Sequence, residues 1–327
     1  MDDFKNPFIG LQSYGPAEVN LYNGRENEKL QFLLKLTDYK LNVLVGKAGV
    51  GRSSFMNSRI IPTLQNGFVV KGVGKWKIAL VEPSNRPIRS LAASLAKPDF
   101  IKTSEEQKID PALIEKFENI LSNRYGLVEI IEEYKLTADS NILIFIDNFS
   151  DLFTYGKDSI PFEIDNFLRR IEEIITQNAY PVSVIIDFKN DDSPDISSKL
   201  AGYQILSELI NRNQFLLPSL SLSDISSQLD FIESKGNIQF SNDIKKHVLA
   251  YYKENSIELG QFQYAMKRCV DQWRLVRTKE PIQLEHLESI GGIANAMNYR
   301  LDLIYDGLSV DDQVACQLIM NVLAAIN

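Results

Sequence analysis

The sequence predicts an α/β protein, with a parallel sheet flanked by helices and then an all-helical region, and three observations lead there. The apolar runs Leu41–Val45, Ile142–Ile146 and Val182–Ile186 have the composition of strands buried on both faces. Between them lie segments whose apolar residues recur at helical spacing, and strand–helix alternation of this kind belongs to α/β domains. After Pro218 the alternation stops. Ser223–Ile232, Asp243–Tyr252, Gln261–Val276 and Ala294–Tyr305 all read as helices, with no further strand-like run.

Taken in order, residues 1–29 carry turn formers and aromatics without periodicity and read as an ordered arm packed on the α/β domain. Residues 30–220 form that domain. A helix over Glu26–Leu36 leads into the strand Leu41–Val45, and a glycine-rich turn feeds a second helix holding Phe55, Met56, Ile60 and Ile61. The strand Trp76–Val81 passes through Pro83 and Pro87 into a helix with Ile88, Leu91 and Leu95. Helical patterns cover Ala112–Leu121 and Leu127–Tyr134, then comes the strand Ile142–Ile146, closed by Asp147. An amphipathic helix with Phe162, Ile164, Phe167, Leu168, Ile171 and Ile174 on one stripe precedes Val182–Ile186. Residues 221–290 form the helical domain. A last helix opens at Ser309, with Asp312 placed to cap it, and carries Val314, Leu318, Ile319 and Leu323 on an apolar face that needs a partner.

With 327 residues the chain has ample length for one large domain and smaller helical units. A formal charge of −8 argues against a surface that hugs nucleic acid or an anionic membrane, because that affinity comes from lysine and arginine. Two cysteines, Cys269 and Cys316, and two histidines, His247 and His286, are too few for a disulfide framework or a zinc site. The apolar runs fall far short of the ~20 residues of a spanning helix. Met1-Asp2-Asp3-Phe4 lacks the basic and apolar character of a signal region. A cytoplasmic, soluble protein is expected.

Chemistry concentrates in Gly46-Lys47-Ala48-Gly49-Val50-Gly51-Arg52-Ser53, with Ser54 next in sequence. This matches the P-loop pattern, with arginine in place of the lysine. Glycines let the backbone curl so that amides point at phosphate oxygens, the helix after the loop adds its positive end, and the Ser53 hydroxyl completes a magnesium shell. The loop lies between an apolar strand and a helix, the placement the motif demands. A buried strand further on ends in Asp147, suited to hold the magnesium with Ser53. The exchange at Arg52 is not conservative. A guanidinium is wide, planar and fixed in its fork, whereas lysine threads along the loop as a point charge, so binding survives and efficient hydrolysis is not expected. Lys47 stands where the deviant P-loop of partition ATPases carries an extra lysine, and a solvated loop lysine is the favoured reading of it. In Asp147-Asn148-Phe149-Ser150-Asp151-Leu152-Phe153, Asp151 is the acid available to orient a water, and Lys189 is placed to sense a γ-phosphate.

These residues resemble the novel STAND class of P-loop NTPases, relatives of the AAA+ and NACHT switches. Asn6-Pro7-Phe8-Ile9-Gly10-Leu11 resembles the family's NPFPGL, and Tyr22-Asn23-Gly24-Arg25-Glu26 its FGRE. Gly46–Ser54 corresponds to GPSGSGKSS, Trp76 and Pro83 to a tryptophan and proline pair, and Asp147–Phe153 to DQFEELF. Phe188-Lys189-Asn190-Asp191-Asp192 corresponds to LRADF, Leu287–Ile293 to LGGV, and Leu308-Ser309 to LS. The landmarks run in order over nearly the whole chain. Four departures fall on chemistry: Arg52 for lysine, Ser150 for the first glutamate of the acidic motif, Lys189 for the sensor arginine, and Gly260 for the proline that touches nucleotide.

The resemblance implies an ATP/ADP-binding switch with Mg2+, sited between the α/β and helical domains, that controls assembly or signalling of a larger complex in signal transduction or defence. Weak or absent hydrolysis goes with the four departures. Gly46, Lys47, Gly49, Val50, Gly51, Arg52, Ser53 and Ser54 would hold phosphates, and Ser53 and Asp147 the metal. Asp151 would hold the water and Lys189 the γ-phosphate, while Arg25 and Glu26 belong to the arm that in relatives lies near the base. Residues 291–327 would begin a winged helix, with sensor and effector parts beyond residue 327 or on another protein. Protein partners or self-association follow from the same resemblance. The alternative is a scaffold that keeps the fold without binding nucleotide, and a third reading is a working ATPase using Lys47.

Other features read as structural. His247 and His286 sit in helical patterns, Cys269 and Cys316 read as small core residues, and Asp191, Asp192 and Asp195 as a solvated loop capping the next helix. Tyr251, Tyr252, Phe262 and Tyr264 read as core or domain-interface residues.

Overall fold

A computed structural model describes residues 5–83, 85–101, 109–155, 161–235, 238–255, 258–276 and 280–326. Met1–Phe4 lie outside them.

The sheet has five strands, β1 (Leu41–Gly46), β2 (Trp76–Val81), β3 (Asn141–Ile146), β4 (Val182–Lys189) and β5 (Gln214–Leu216). Every pairing is parallel and the order is β2-β3-β4-β1-β5. Each link between successive strands crosses over through at least one helix, as parallel strands require. The apolar runs are long because both faces are covered, and alternate residues go to opposite cores. Val43, Val45, Ile142, Ile144, Val184 and Ile186 join the core that includes Leu91, Ile130, Phe167 and Ile171. Leu44, Leu143, Phe145 and Ile185 join the core that includes Phe32, Phe55, Met56 and Ile60. This second face receives the helix after the phosphate loop, which begins as Arg52–Phe55, passes through a π-helical turn Met56–Ile60 and ends as Ile61–Gln65.

β5 is absent from the sequence reading, which ends the domain beside it. Three residues are too few to display a strand period. Its place is set by β1, because Asn213 accepts the Val43 amide on its carbonyl, its side chain donates to Leu41 O at 2.9 Å, and Leu217 N donates to Val45 O at 2.8 Å. β4 also runs further than the apolar run suggests, continuing through Asp187, Phe188 and Lys189.

The chain divides into two compact units. One comprises Tyr14–Asn20 with Arg25–Ser219 and holds the sheet. In the other, the segments up to Ser13 and Leu21–Gly24 join the chain from Leu220 onward, so the arm expected over 1–29 is shared out rather than separate. Phe8 is the reason on the arm's side: it is fully buried, with edge-on rings Phe240 and Phe262 both 6.3 Å away. Asn6 fixes the same strap, its Nδ2 donating to Lys267 O at 3.0 Å and Asp271 Oδ1 at 2.8 Å.

This second unit is helical throughout its longer elements: Leu222–Ser234, Asn242–Glu254, Leu259–Leu275, Gly292–Asp306 and Val310–Ile326. Ser221 opens the first with a reciprocal cap, its hydroxyl accepting from Asp224 N while the Asp224 carboxylate accepts from Ser221 N. Ser309 and Asp312 meet as expected at the start of the last helix. Among the described residues no helix is long and apolar enough to cross a membrane.

Candidate nucleotide-binding site

The loop between β1 and its helix has the backbone the motif calls for. Gly49 and Gly51 have φ of +67° and +91°, a region where a side chain on L-residues is strained. Gly46 is required for a different reason: a Cβ there would lie 2.8 Å from Val50 Cγ1 and 3.2 Å from Leu217 O. Lys47, Ala48 and Gly49 are exposed, while Val50 is buried beneath them. The tip of the loop is therefore presented to solvent and its base is anchored.

Ser53 lies on the first turn of the helix, and its Oγ donates to Asp147 Oδ1 at 3.0 Å. Asp147 comes directly after the last residue of β3, with its amide donating to Val81 O. The two groups predicted to share a metal are thus brought together from positions far apart in sequence. A hydroxyl and a carboxylate oxygen at this separation are hard donors of the kind magnesium takes alongside water and phosphate, so the residues present fit that ion. Asp151 and Lys189 complete the cluster. The Asp151 carboxyl is pushed up by burial and pulled down by the Lys189 charge, with Asp192 and Asp147 adding to the rise. Lys189 is exposed at the end of β4, in register with Gly46.

Arg52 behaves differently from the lysine it replaces. Its side chain is buried, with Nε donating to Asp187 Oδ2 at 2.9 Å and Nη1 to the carbonyls of Gly46 at 2.9 Å and Lys47 at 3.1 Å. Where sequence reasoning expects a phosphate ligand, these donors go to protein acceptors. Asp187 is the partner that sequence reasoning missed. It is fully buried, on the face of β4 shared with Ile185, and opposite Leu44 in register, which aims it at the helix carrying Arg52. Its other oxygen accepts the Asn148 amide, and its own carbonyl accepts the Phe149 amide at 2.8 Å. Burial and the adjacent Asp147 charge push the Asp187 carboxyl up against the pull of the Arg52 guanidinium. Both carboxyl oxygens nevertheless receive N–H donors, the arrangement that suits an ionised group paired with arginine. One signal was available in the sequence: an acid inside an otherwise apolar strand, in a chain whose phosphate loop carries an unusual cation.

The remaining predicted residues brace the loop. Arg25, in a left-handed conformation with φ 67°, is buried and donates to Val50 O at 3.1 Å and to Pro218 O. Ser54 accepts the Tyr14 amide on its hydroxyl at 3.1 Å, so that oxygen faces the arm. Glu26 pairs with Lys29 and, at 3.4 Å, with Arg59, one turn and more beyond the loop. Gly260 packs against Leu11 in the helical unit.

A five-stranded parallel sheet flanked by helices, with a glycine loop after β1 and a serine–aspartate pair bridging to β3, is the architecture of a P-loop NTPase. The chain resembles the ORC2 protein of Aeropyrum pernix in its ADPNP–ADP complexes, with a TM-score of 0.60 and 14% identity over 94% of this chain and 75% of that one. It also resembles a Walker-type ATPase of Pyrococcus abyssi, with a TM-score of 0.50 and 14% identity over 96% of this chain and 77% of that one. No curated protein matches the sequence. The family model for novel STAND NTPase 1 matches residues 7–327, and the chain belongs to that family.

Proposed function

We propose that the chain is a nucleotide-binding switch module that takes ATP or ADP with Mg2+ at the loop Gly46–Ser53, turns it over weakly or not at all, and controls the assembly or signalling of a larger complex. The observation that carries this reading is the hydrogen bond from Ser53 to Asp147 beside a loop held open by Gly49 and Gly51. Backbone amides of that loop and the helix N-terminus would receive the phosphates. Ser53 and Asp147 would hold the metal, whose contribution is to neutralise phosphate charge. Asp151 is placed to orient a water, because its carboxyl lies close enough to Lys189 and Asp147 to feel both charges. Lys189 and the exposed Lys47 are the cations at the rim of the loop.

Slow turnover follows from charge placement. In P-loop enzymes a cation reaching the β- and γ-phosphates supplies much of the transition-state stabilisation, and here Arg52 commits Nε and Nη1 to Asp187 and two carbonyls. Ser150, in the acidic segment, offers a hydroxyl rather than a second carboxylate. Control of a larger complex rests on membership of the STAND family.

The test is to purify the chain, denature it, and chromatograph the released small molecules, then repeat after incubation with MgATP and desalting. Stoichiometric ADP or ATP, reduced by Ser53→Ala, supports the switch. Absence of any adenine nucleotide before and after incubation would leave a scaffold as the function.

A further inference from the structure

We propose that Asp187 is an affinity-setting residue of the phosphate loop: by pairing with Arg52 beneath the loop it cancels the arginine's charge and keeps the guanidinium from serving as a phosphate ligand. This deepens the nucleotide-binding reading and rests on it.

The geometry supports the assignment from both ends of the pair. From the loop side, Arg52 is fixed by three acceptors, Asp187 and the carbonyls of Gly46 and Lys47, all of them protein groups. Carbonyls of a phosphate loop point away from the cradle that its amides line, so a guanidinium bound to two of them is committed to the loop's outer side. From the strand side, Asp187 has no solvent access and holds the Asn148 amide with its second oxygen. The same carboxylate thus supports the phosphate loop through Arg52 and the segment after β3 through Asn148. Asn148 has a φ of 54°, uncommon for a residue with a side chain, and the hydrogen bond to Asp187 helps hold that turn.

An arginine swinging out toward phosphate would leave a buried carboxylate without its partner, a costly arrangement, so ligand and Asp187 compete for one cation. With the pair closed, Arg52 and Asp187 sum to zero beneath the loop, and the positive charge offered to phosphates comes from the amides, Lys47 and Lys189. A triphosphate carries more charge to be met than a diphosphate and loses more by this cancellation. The site is therefore tuned toward ADP relative to ATP by a residue that need not touch either.

Isothermal titration of the 327-residue chain with MgADP and with the slowly hydrolysed MgATPγS, at pH 8, tests this with three proteins. Asp187→Asn keeps the shape and an acceptor for Arg52 Nε while removing the charge, and it is expected to bind MgATPγS about tenfold tighter than the parent, with a smaller gain for MgADP. Arg52→Gln/Asp187→Asn removes both charges, so its affinities are expected to stay within about threefold of the parent. Thermal melts of each variant establish that it is folded. A folded Asp187→Asn that binds no tighter overturns the proposal. So does a tenfold or greater loss in the double variant, which would make Arg52 a phosphate ligand. Binding by Asp187→Asn with none by the parent would support the charge cancellation while refuting the parent chain as a nucleotide switch. Absence of binding by all three would overturn both.

Discussion

Arg52 and Asp187 form a buried ion pair 135 residues apart in sequence, and removing one side of such a pair is far more damaging than removing both. Arg52→Ala leaves Asp187 charged, buried and short of a donor, so urea denaturation is expected to show a loss of about 3–5 kcal/mol. A loss within about 1 kcal/mol would mean that the pair contributes little. This contact was not legible in the sequence, because it depends on the β1–β4 register and on which face of β4 an odd-numbered residue takes. Ser53 and Asp147 were legible, since each stands at a position defined by its own element, the first helical turn after the loop and the end of a buried strand. The cysteines follow burial in the same local way. Cys269 is fully buried among Phe262, Met266 and Val270, and burial pushes its thiol up to about 12, whereas Cys316 is partly exposed. Because the thiolate is the reactive form, native protein at pH 8 is expected to give one fast-reacting thiol with a disulfide reagent and a second only on unfolding. Two fast thiols would contradict the placement of Cys269.

Among the elements, strands with long apolar runs and helices with a clear stripe were readable, and those defined by their neighbours were not. β5 exists because β1 has a free edge for it, and Asn213 and Leu217 pin its ends. The junction between the helices Pro111–Leu121 and Gly126–Glu133 is another case, in which Tyr125 takes a φ of 62° and Gly126 lies against the end of the preceding helix. A Cβ on Gly126 would lie 1.9 Å from Ile120 O, a backbone atom that cannot swing aside. Gly126→Ala is therefore expected to cost about 1–3 kcal/mol through overpacking, with helix content by circular dichroism retained. A variant as stable as the parent would mean that the junction yields. The phosphate loop, by contrast, has its conformation written locally in Gly49 and Gly51, which is why its shape was predictable while the partner of its arginine was not.

At the scale of the molecule, the order of strands puts β1 between β4 and β5, so that the loop after β1 sits where the connections leave in opposite directions, the place where open α/β sheets bind ligands. The alternation of elements announced a parallel sheet, and the end of that alternation near Pro218 announced the helical unit. Local pattern gave no sign that parts of the first 29 residues would divide between the two units, since Phe8 is placed by rings more than two hundred residues away. If the loop and the Ser53–Asp147 pair form one magnesium- and nucleotide-binding site, thermal melts of the chain against increasing ADP, with and without Mg2+, will register it. A ligand that binds only the folded chain adds about 2.7 kcal/mol at a hundredfold excess over its dissociation constant. The melting temperature is therefore expected to climb with ADP, more steeply with Mg2+, and Ser53→Ala is expected to lose the part that depends on Mg2+. A melting temperature that stays constant to millimolar MgADP would refute the shared site.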